Sequence, residues 1–324
     1  MSQSSSLVRL VLLLALPTAA AFLYAHQRRI APEIVAALLP AILLELTLYL
    51  SLAVPKLHAR VSQLRPPQIA LALFAAAIAP WLLYPGHAAP TLLLAITIPV
   101  AFWYILLPAN KWTNLALLIF LPAVILLKGR LFREIYPDPV PGLRLEILGH
   151  LMWIRLAIRV TLLLRKAEGI GFGLIPTKAE WRIGTKYFLQ AMPAGLLIAY
   201  PLGILQTGTP NAHWWLLPLY AFGVFLGIFA VVALSEEFFL RGLLLGPLCK
   251  AMRNRTAALL VVSAISGAVH LGFRHAPNWK FALVSAVVHW FFGRAYLEAG
   301  SIRASMVTHA LTATTWIILF AKSG

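Results

Sequence analysis

Two adjacent glutamates, Glu236 and Glu237, lie in an almost entirely apolar stretch, residues 231–245, of a chain with only ten acidic residues. An ionised side chain at the depth of a lipid bilayer costs at least about 2.5–3.5 kcal/mol, so such residues mark a functional site by default. Surroundings of low dielectric disfavour the ionised form of a carboxyl group and strengthen it as a base. The pair therefore predicts proton-transfer chemistry inside a membrane.

Helical spacing predicts different roles for the two glutamates. Residues four apart share a helix face, whereas adjacent residues point about 100° apart. We therefore expect Glu237 to form an ion pair with Arg241 that keeps both charges tolerable. Glu236 is turned away from this pair, and we expect it to project into a cavity. In the alternative, both glutamates are structural, and Arg241 and a histidine neutralise them.

Two histidines, His270 and His309, lie in separate apolar stretches further along the chain. His270 shares a helix face with Ser263 and Gly267, and small residues let helices approach closely in lipid. We therefore expect His270 to pack against the helix that carries Glu236. One glutamate and two histidines could also bind zinc, with Glu236, His270 and His309 as the ligands. The chain lacks the H-E-x-x-H signature of zinc proteases, which favours a site without a cofactor.

The elements that carry these residues are expected to be transmembrane helices. Of the 324 residues, 61% are hydrophobic and 11% are charged, against about 45–50% apolar and 25% charged in soluble domains. Apolar runs long enough to cross the hydrocarbon layer predict an all-α polytopic bundle of about ten spans, between eight and twelve. The run at 147–164 contains Arg155 and Arg159 and could instead be an amphipathic helix in the interface.

The net charge of +17 could suggest a nucleic-acid partner, but the cationic residues cluster in short loops between apolar runs. That distribution follows the positive-inside rule and suits contact with anionic lipid headgroups. We therefore expect the lipid bilayer and a membrane protein or peptide as partners, and no nucleic acid. The basic loops 56–65 and 250–255 are predicted to be cytoplasmic, as in a multi-pass protein of a bacterial inner membrane.

A segment of mixed charge with three prolines, residues 128–146, predicts a domain boundary. We expect an N-terminal membrane module over residues 1–145 and a catalytic module over residues 146–324. The long N-terminal module suggests a dedicated substrate or partner.

The E-E-x-x-x-R element that begins at Glu236, followed by His270 and by His309 on a later span, resembles the CPBP (CAAX protease and bacteriocin-processing) intramembrane peptidases. The resemblance covers about residues 170–320. It implies an endopeptidase that hydrolyses a membrane-associated protein, either lipidated or anchored at its C-terminus. It further implies that Glu236 and His270 activate a water molecule and that His309 stabilises the oxyanion.

Two positions depart from the family pattern. Ser266 replaces the phenylalanine that usually lies four residues before the first histidine, and Ala313 replaces an asparagine. Thr312 or Thr314 could take over donation to the oxyanion, at a different angle. Because the loss of one such donor costs about 10²–10³ in rate, Ala313 leaves open a catalytically decayed scaffold or immunity protein.

Other interpretations rest on fewer residues. A proton-coupled transporter would use Glu45 and Glu236 as carriers, but it predicts paired broken helices, which the sequence lacks. Glu45 could also gate a cavity or pair with an arginine of another span, and His289 could face the site. A two-aspartate protease is excluded, since the only aspartate is Asp138 in a loop. Ser266 lies in a sequence that lacks the first glycine of the rhomboid-like serine motif.

Overall fold

The computed structural model describes residues 3–205, 214–273 and 276–320, and within these ranges the chain is helical and contains no strand. The predicted all-α fold is thereby confirmed. A helix satisfies its backbone N–H and C=O groups internally, which long apolar segments require in lipid. Contacts divide the chain into two compact units, Met1–Ala167 and Glu168–Gly324.

Proline opens many helices of the first unit. It occupies the first turn of α2 to α5, where its fixed φ suits the helix and its missing N–H would have no intrahelical partner. The helices are α1 (Gln3–Arg28), α2 (Pro32–Leu50), α3 (Pro55–Val61), α4 (Pro66–Leu82), α5 (Pro90–Ala101), α6 (Trp103–Leu106), α7 (Lys111–Leu126), α8 (Lys128–Ile135) and α9 (Glu146–Arg159).

The central element of the first unit is α9, which continues into a π-helical turn, Val160–Leu164. It packs against α2, α4, α5 and α8. Met152 and Trp153 are fully buried in the core, and the Trp153 indole N–H donates to the Leu121 carbonyl oxygen over 3.1 Å. This burial places α9 in the interior of the unit, unlike an amphipathic helix that lies at the membrane–water interface.

A buried ion pair lies inside the first unit. Arg155 donates through Nε and Nη2 to the two carboxylate oxygens of Glu45, over 3.0 and 2.8 Å, and also to the Ala76 carbonyl oxygen. Its neighbour Arg159 donates to the Ser51 carbonyl oxygen over 2.7 Å. Of the roles left open for Glu45, the structure places it in an arginine pair between helices.

These contacts also bear on the boundary between the units. The sequence predicts a division between residues 145 and 146, whereas the contacts divide the chain after Ala167. The difference arises because the charged groups of α9 find their partners on α2 and α4 of the first unit.

Replacement of Arg155 by alanine is expected to destabilise the first unit by about 3–5 kcal/mol, because it leaves the buried Glu45 carboxylate without its cation. Thermal unfolding of the purified protein in detergent measures the effect. Arg144→Ala, which removes an exposed arginine just before α9, is the matched control. Equal midpoints for the two variants would contradict the role given to the buried pair.

The second unit carries the glutamate motif. Its helices are α10 (Lys178–Ala199), α11 (Leu217–Gly227), α12 (Leu234–Glu237), α13 (Gly246–Met252), α14 (Arg255–Val269), α15 (Trp279–Ala299) and α16 (Ile302–Phe320). Two π-helical stretches, Ile228–Ala233 and Phe238–Leu245, connect α11 to α13. The result is one continuous helical stretch, Leu217–Met252, called the motif helix below.

Four helical stretches of the described residues are long and apolar enough to cross a membrane, and a bent pair, Lys111–Leu126 with Gly129–Ile135, could make a fifth. The expected count of about ten is therefore not confirmed. Several apolar runs form helices shorter than a span, among them α4 and α5. The stretch with Arg155 and Arg159 does qualify. The four stretches are Pro32–Ala53, Glu146–Leu164, Leu217–Met252 and Arg255–Gly272.

Candidate active site

The motif helix gives the two adjacent glutamates different surroundings. Both lie on the four-residue helix α12, between the two π-helical stretches. The Glu237 side chain is fully buried, whereas the Glu236 side chain is 34% exposed. Wide turns of the π type are rare and occur frequently at functional sites. The two neighbouring carboxylates differ in exposure and so have different surroundings, as the angle of about 100° between adjacent helical residues predicts.

Glu237 is held by two basic side chains. The Arg241 guanidinium lies one turn on, with Nε 3.2 Å from Glu237 Oε2 and Nη1 donating to Oε1 over 3.3 Å. His309 Nδ1 lies 2.9 Å from Glu237 Oε1. Arg241 also donates to the His289 carbonyl oxygen over 2.7 Å. The structure thus contains the Glu237–Arg241 pair and adds a histidine from α16 to it.

Glu236 lies beside a different histidine from the one the sequence analysis pairs with it. Glu236, His289 and His309 each offer a ligand atom, and these three atoms lie within 4.8 Å of one another. His289 Nε2 is 3.6 Å from Glu236 Oε2. The group of Glu236, His289 and His309, called the Glu236 cluster below, contains two of the three predicted catalytic residues and has His289 in place of His270.

His270 is connected to this cluster through α15. The hydroxyl oxygen of Ser285 lies 3.0 Å from His270 Nδ1 and 3.1 Å from His289 Nδ1. Each Nδ1 also lies close to a backbone carbonyl oxygen, that of Ser266 for His270 and that of Ser285 for His289. Because a carbonyl oxygen only accepts, both Nδ1 atoms carry a proton. In the neutral rings, the lone pair is therefore on Nε2.

The packing of Gly267 explains why His270 lies beside α15. A Cβ atom at this glycine would be 2.6 Å from the Ala282 carbonyl oxygen and 2.8 Å from the Ala286 Cβ, both on α15. The small-residue face of α14 is thus a close-approach surface, but its partner there is α15 and not the motif helix as expected. His270 itself forms a short 3₁₀ turn after the end of α14.

Aromatic rings close one side of the site. The Phe292 ring stacks on His309 at a centroid distance of 4.8 Å and lies 4.8 Å from His289. The Arg241 guanidinium carbon is 5.8 Å from the same ring centroid. Both histidines of the Glu236 cluster are buried. Of the three side chains of the cluster, only that of Glu236 is partly exposed.

The other residues predicted for the site are not members of the Glu236 cluster. The Thr312 hydroxyl donates to the Thr308 carbonyl oxygen over 2.7 Å. The buried Thr314 hydroxyl has no hydrogen-bond partner within the described residues. The Ser266 hydroxyl donates to the Val262 carbonyl oxygen over 2.8 Å. Glu45 belongs to the first unit.

Two residues that contact the histidines of the Glu236 cluster, Ser285 and Phe292, are not among the residues predicted from the sequence. Ser285 precedes His289 by four residues, and Phe292 follows it by three, so both lie near the His289 face of α15. The spacing could have identified them had His289 been given priority among the histidines.

The Glu236 cluster has the composition of a catalytic zinc site, one carboxylate and two imidazoles. Nitrogen and oxygen ligands of tetrahedral zinc lie roughly 3.4 Å apart, which compares with 3.6 Å for Glu236 and His289 and at most 4.8 Å within the cluster. The donor set therefore fits zinc after a small inward movement, with His289 in place of His270 in the predicted ligand set.

Comparison with known proteins gives one match. Residues 214–315 match the family model described as Type II CAAX prenyl endopeptidase Rce1-like. No curated protein and no solved structure matches the chain. The matched segment contains the motif helix, α14, α15 and most of α16, and hence every residue of the Glu236 cluster.

The helical fold with its membrane-spanning stretches and this match together define a class, the intramembrane endopeptidases, which are hydrolases. Within that class, residues 214–315 are similar to the CAAX prenyl endopeptidases, which confirms the resemblance predicted from the motifs.

Proposed function

We propose that the protein is an endopeptidase of a bacterial inner membrane that hydrolyses a lipidated or C-terminally anchored membrane protein, with Glu236 as general base. The observation that carries this proposal is the position of Glu236. Its partly exposed carboxylate lies 3.6 Å from the buried His289 imidazole, inside the segment that matches the family. A carboxylate so placed can take a water molecule from solvent and deprotonate it.

The tautomer of His289 determines how the water would be held. With the proton on Nδ1, both Nε2 and the Glu236 carboxylate are acceptors, and a water molecule beside them donates one hydrogen to each. Transfer of a proton to Glu236 produces a hydroxide, which attacks the carbonyl carbon of the substrate peptide bond. Glu236 then returns this proton to the leaving amine as the carbon–nitrogen bond breaks.

His309 is suited to stabilise the oxyanion formed in this attack. Its Nδ1–H donates to the Glu237 carboxylate over 2.9 Å, which fixes the orientation of the ring in the way that a buried aspartate orients a catalytic histidine. With a proton also on Nε2, the ring would donate to the developing negative charge. Glu237 and Arg241 hold His309 in position and do not touch the substrate in this scheme.

A prenylated peptide is the direct probe of the activity. The matched family is described by its action on CAAX prenyl substrates, in which the prenylated cysteine precedes three C-terminal residues. The purified full-length protein in lipid nanodiscs is expected to release those three residues from a farnesylated peptide, as measured by mass spectrometry. The same peptide without the lipid is the control and is expected to be cleaved more slowly.

Failure to cleave either peptide would be followed by a search in cells. The lengths of membrane proteins in a deletion strain would be compared with those in the same strain carrying the gene. If no protein changes length, the scaffold or immunity role is favoured and the proposed peptidase is rejected.

A metal-dependent hydrolase is the second candidate, because the Glu236 cluster has a zinc-like donor set. We expect the cleavage to proceed without a metal, and dialysis against a chelator should leave the rate unchanged. A loss of activity that zinc restores would reject the metal-free scheme. In that case Glu236, His289 and His309 would be the ligands.

Ser285 is proposed as a positioning residue, since its hydroxyl lies between the Nδ1 atoms of His270 and His289. Ser285→Ala is expected to lower kcat by about 10–100-fold, by analogy with the loss of a group that orients a metal-ligating histidine. Ser285→Thr keeps the hydroxyl and is expected to restore most of the rate.

Ser263→Ala is the matched control for this variant, because Ser263 is a buried serine of α14 whose hydroxyl has no hydrogen-bond partner within the described residues. A pH–rate profile separates positioning from folding: loss of the shared hydroxyl is expected to move the profile, whereas a lower amount of folded protein scales it uniformly. An unmoved profile with a uniformly lower rate would contradict the positioning role.

A further inference from the structure

A cavity of about 250 Å³ lies among α10, α14 and α15. None of the residues that line it belongs to the Glu236 cluster. Two arginines line this cavity, Arg255 at the start of α14 and Arg294 near the end of α15. It is called the arginine cavity below.

The two arginines form no close ion pair within the described residues. Both residues are exposed, and within the described residues neither forms an ion pair as close as 4.0 Å, although Arg294 interacts electrostatically with Glu298. The one acidic residue of the lining, Glu298, already binds Lys186 Nζ over 2.7 Å and accepts a hydrogen bond from the Tyr187 hydroxyl over 2.6 Å. The arginine cavity therefore presents two guanidinium groups to an anion.

The rest of the lining is amphipathic. The cavity is also lined by Leu259, Trp290 and Leu297, and by Thr256, which has a hydroxyl group. Arg255 is the last residue of the basic loop 250–255, which the charge pattern predicts to be cytoplasmic. Cations, an indole and leucines at the cytoplasmic end of helices suit an amphiphile with an anionic head better than a free inorganic ion.

We propose that the arginine cavity binds the phosphate group of an anionic phospholipid from the cytoplasmic leaflet. Guanidinium groups match phosphate oxygens through paired N–H donors, and basic pockets between transmembrane helices bind anionic headgroups on this side of a membrane. The leucines and Trp290 contact the glycerol and the first acyl carbons. This site is separate from the proposed peptidase chemistry and does not depend on it.

Lipid binding to the full-length protein in detergent tests the proposal by native mass spectrometry. Phosphatidylglycerol is expected to bind more tightly than zwitterionic phosphatidylcholine. The double variant Arg255→Gln/Arg294→Gln is expected to bind phosphatidylglycerol about 30-fold more weakly, since each cation near an anionic surface contributes enough for about a fivefold change. The control Lys250→Gln/Arg253→Gln removes two exposed charges from the same loop outside the cavity and is expected to retain binding.

A variant that is expected to bind the lipid more tightly distinguishes a specific effect from misfolding, because misfolding can only weaken binding. Glu298→Gln removes the single acid of the lining and is expected to tighten phosphatidylglycerol binding. Equal loss in the double variant and the Lys250/Arg253 control would show diffuse attraction to the basic loop and overturn the proposal. Equal binding of the two lipids would also overturn it. Displacement of the lipid by an equal concentration of inorganic phosphate would assign the cavity to free phosphate and reject the lipid.

Discussion

Glu236→Gln is expected to lower the rate of peptide-bond hydrolysis by about 10²–10⁴-fold, the usual contribution of a general base. Glutamine keeps the shape of the side chain and its hydrogen-bonding oxygen but cannot accept the proton of the water. The measurement is kcat on the farnesylated peptide in nanodiscs. The thermal midpoint is expected to change little, because the Glu236 side chain is 34% exposed and its contact with His289 is long.

The matched control is Glu168→Gln, which removes one carboxylate from an exposed loop position of the same unit. It is expected to leave both rate and stability unchanged. His289→Ala and His270→Ala extend the comparison: the first removes the ring 3.6 Å from Glu236, and the second removes a ring connected only through Ser285. A fully active Glu236→Gln variant would remove Glu236 from the role of base.

Arg241→Ala is expected to destabilise the second unit by about 3–5 kcal/mol and to abolish activity with it. The change leaves the Glu237 carboxylate buried without its guanidinium, and an uncompensated buried charge is far more costly than the pair is stabilising. It also removes the donor to the His289 carbonyl oxygen. The thermal unfolding midpoint in detergent reports the first effect, and peptide cleavage by the remaining folded protein reports the second.

The double variant Glu237→Leu/Arg241→Leu distinguishes a buried-charge effect from a packing effect. Apolar replacement of both partners of a buried pair is often neutral for stability, so the double variant is expected to recover much of the lost midpoint. It should remain inactive, because His309 loses the carboxylate that holds its ring in position. Arg182→Ala on the exposed face of α10 is the control for the loss of an arginine. A double variant less stable than Arg241→Ala would contradict this explanation.

Local spacing predicted part of the site well. The relation of Glu237 to Arg241 depends only on helix geometry over four residues, and the structure contains that pair. The separation of Glu236 from this pair follows from the same geometry. The helical class followed from composition, since a chain this apolar has few other ways to satisfy its backbone in lipid.

The choice among histidines could not be made from spacing alone. His270, His289 and His309 lie on separate elements, and their distances from Glu236 depend on how those elements pack. The end of α14 just before His270 turns that ring towards Ser285 on α15. A periodicity argument assumes an unbroken helix and therefore could not show this.

In the first unit, the role of Glu45 and the position of α9 depend on a contact between residues far apart in the sequence. Nothing near Glu45 in the sequence indicates Arg155 as its partner, 110 residues away. The same contact places α9 in the first unit, and proline and charge patterns do not show that contact. Hydropathy likewise measures apolar length but does not show where a run breaks into short helices such as α5.

The winding of the motif helix has a consequence for how this chain can vary. Loss of one residue from an α-helix rotates everything beyond it by about 100°, and the two glutamates follow the π-helical stretch Ile228–Ala233. A wide turn holds a surplus residue that a deletion could remove by tightening the coil. A deletion absorbed in this way would leave Glu236 beside His289, whereas the same deletion in a regular α-helical stretch before the glutamates would turn Glu236 away, so the wide turn is the place where this helix can lose a residue and keep the cluster together.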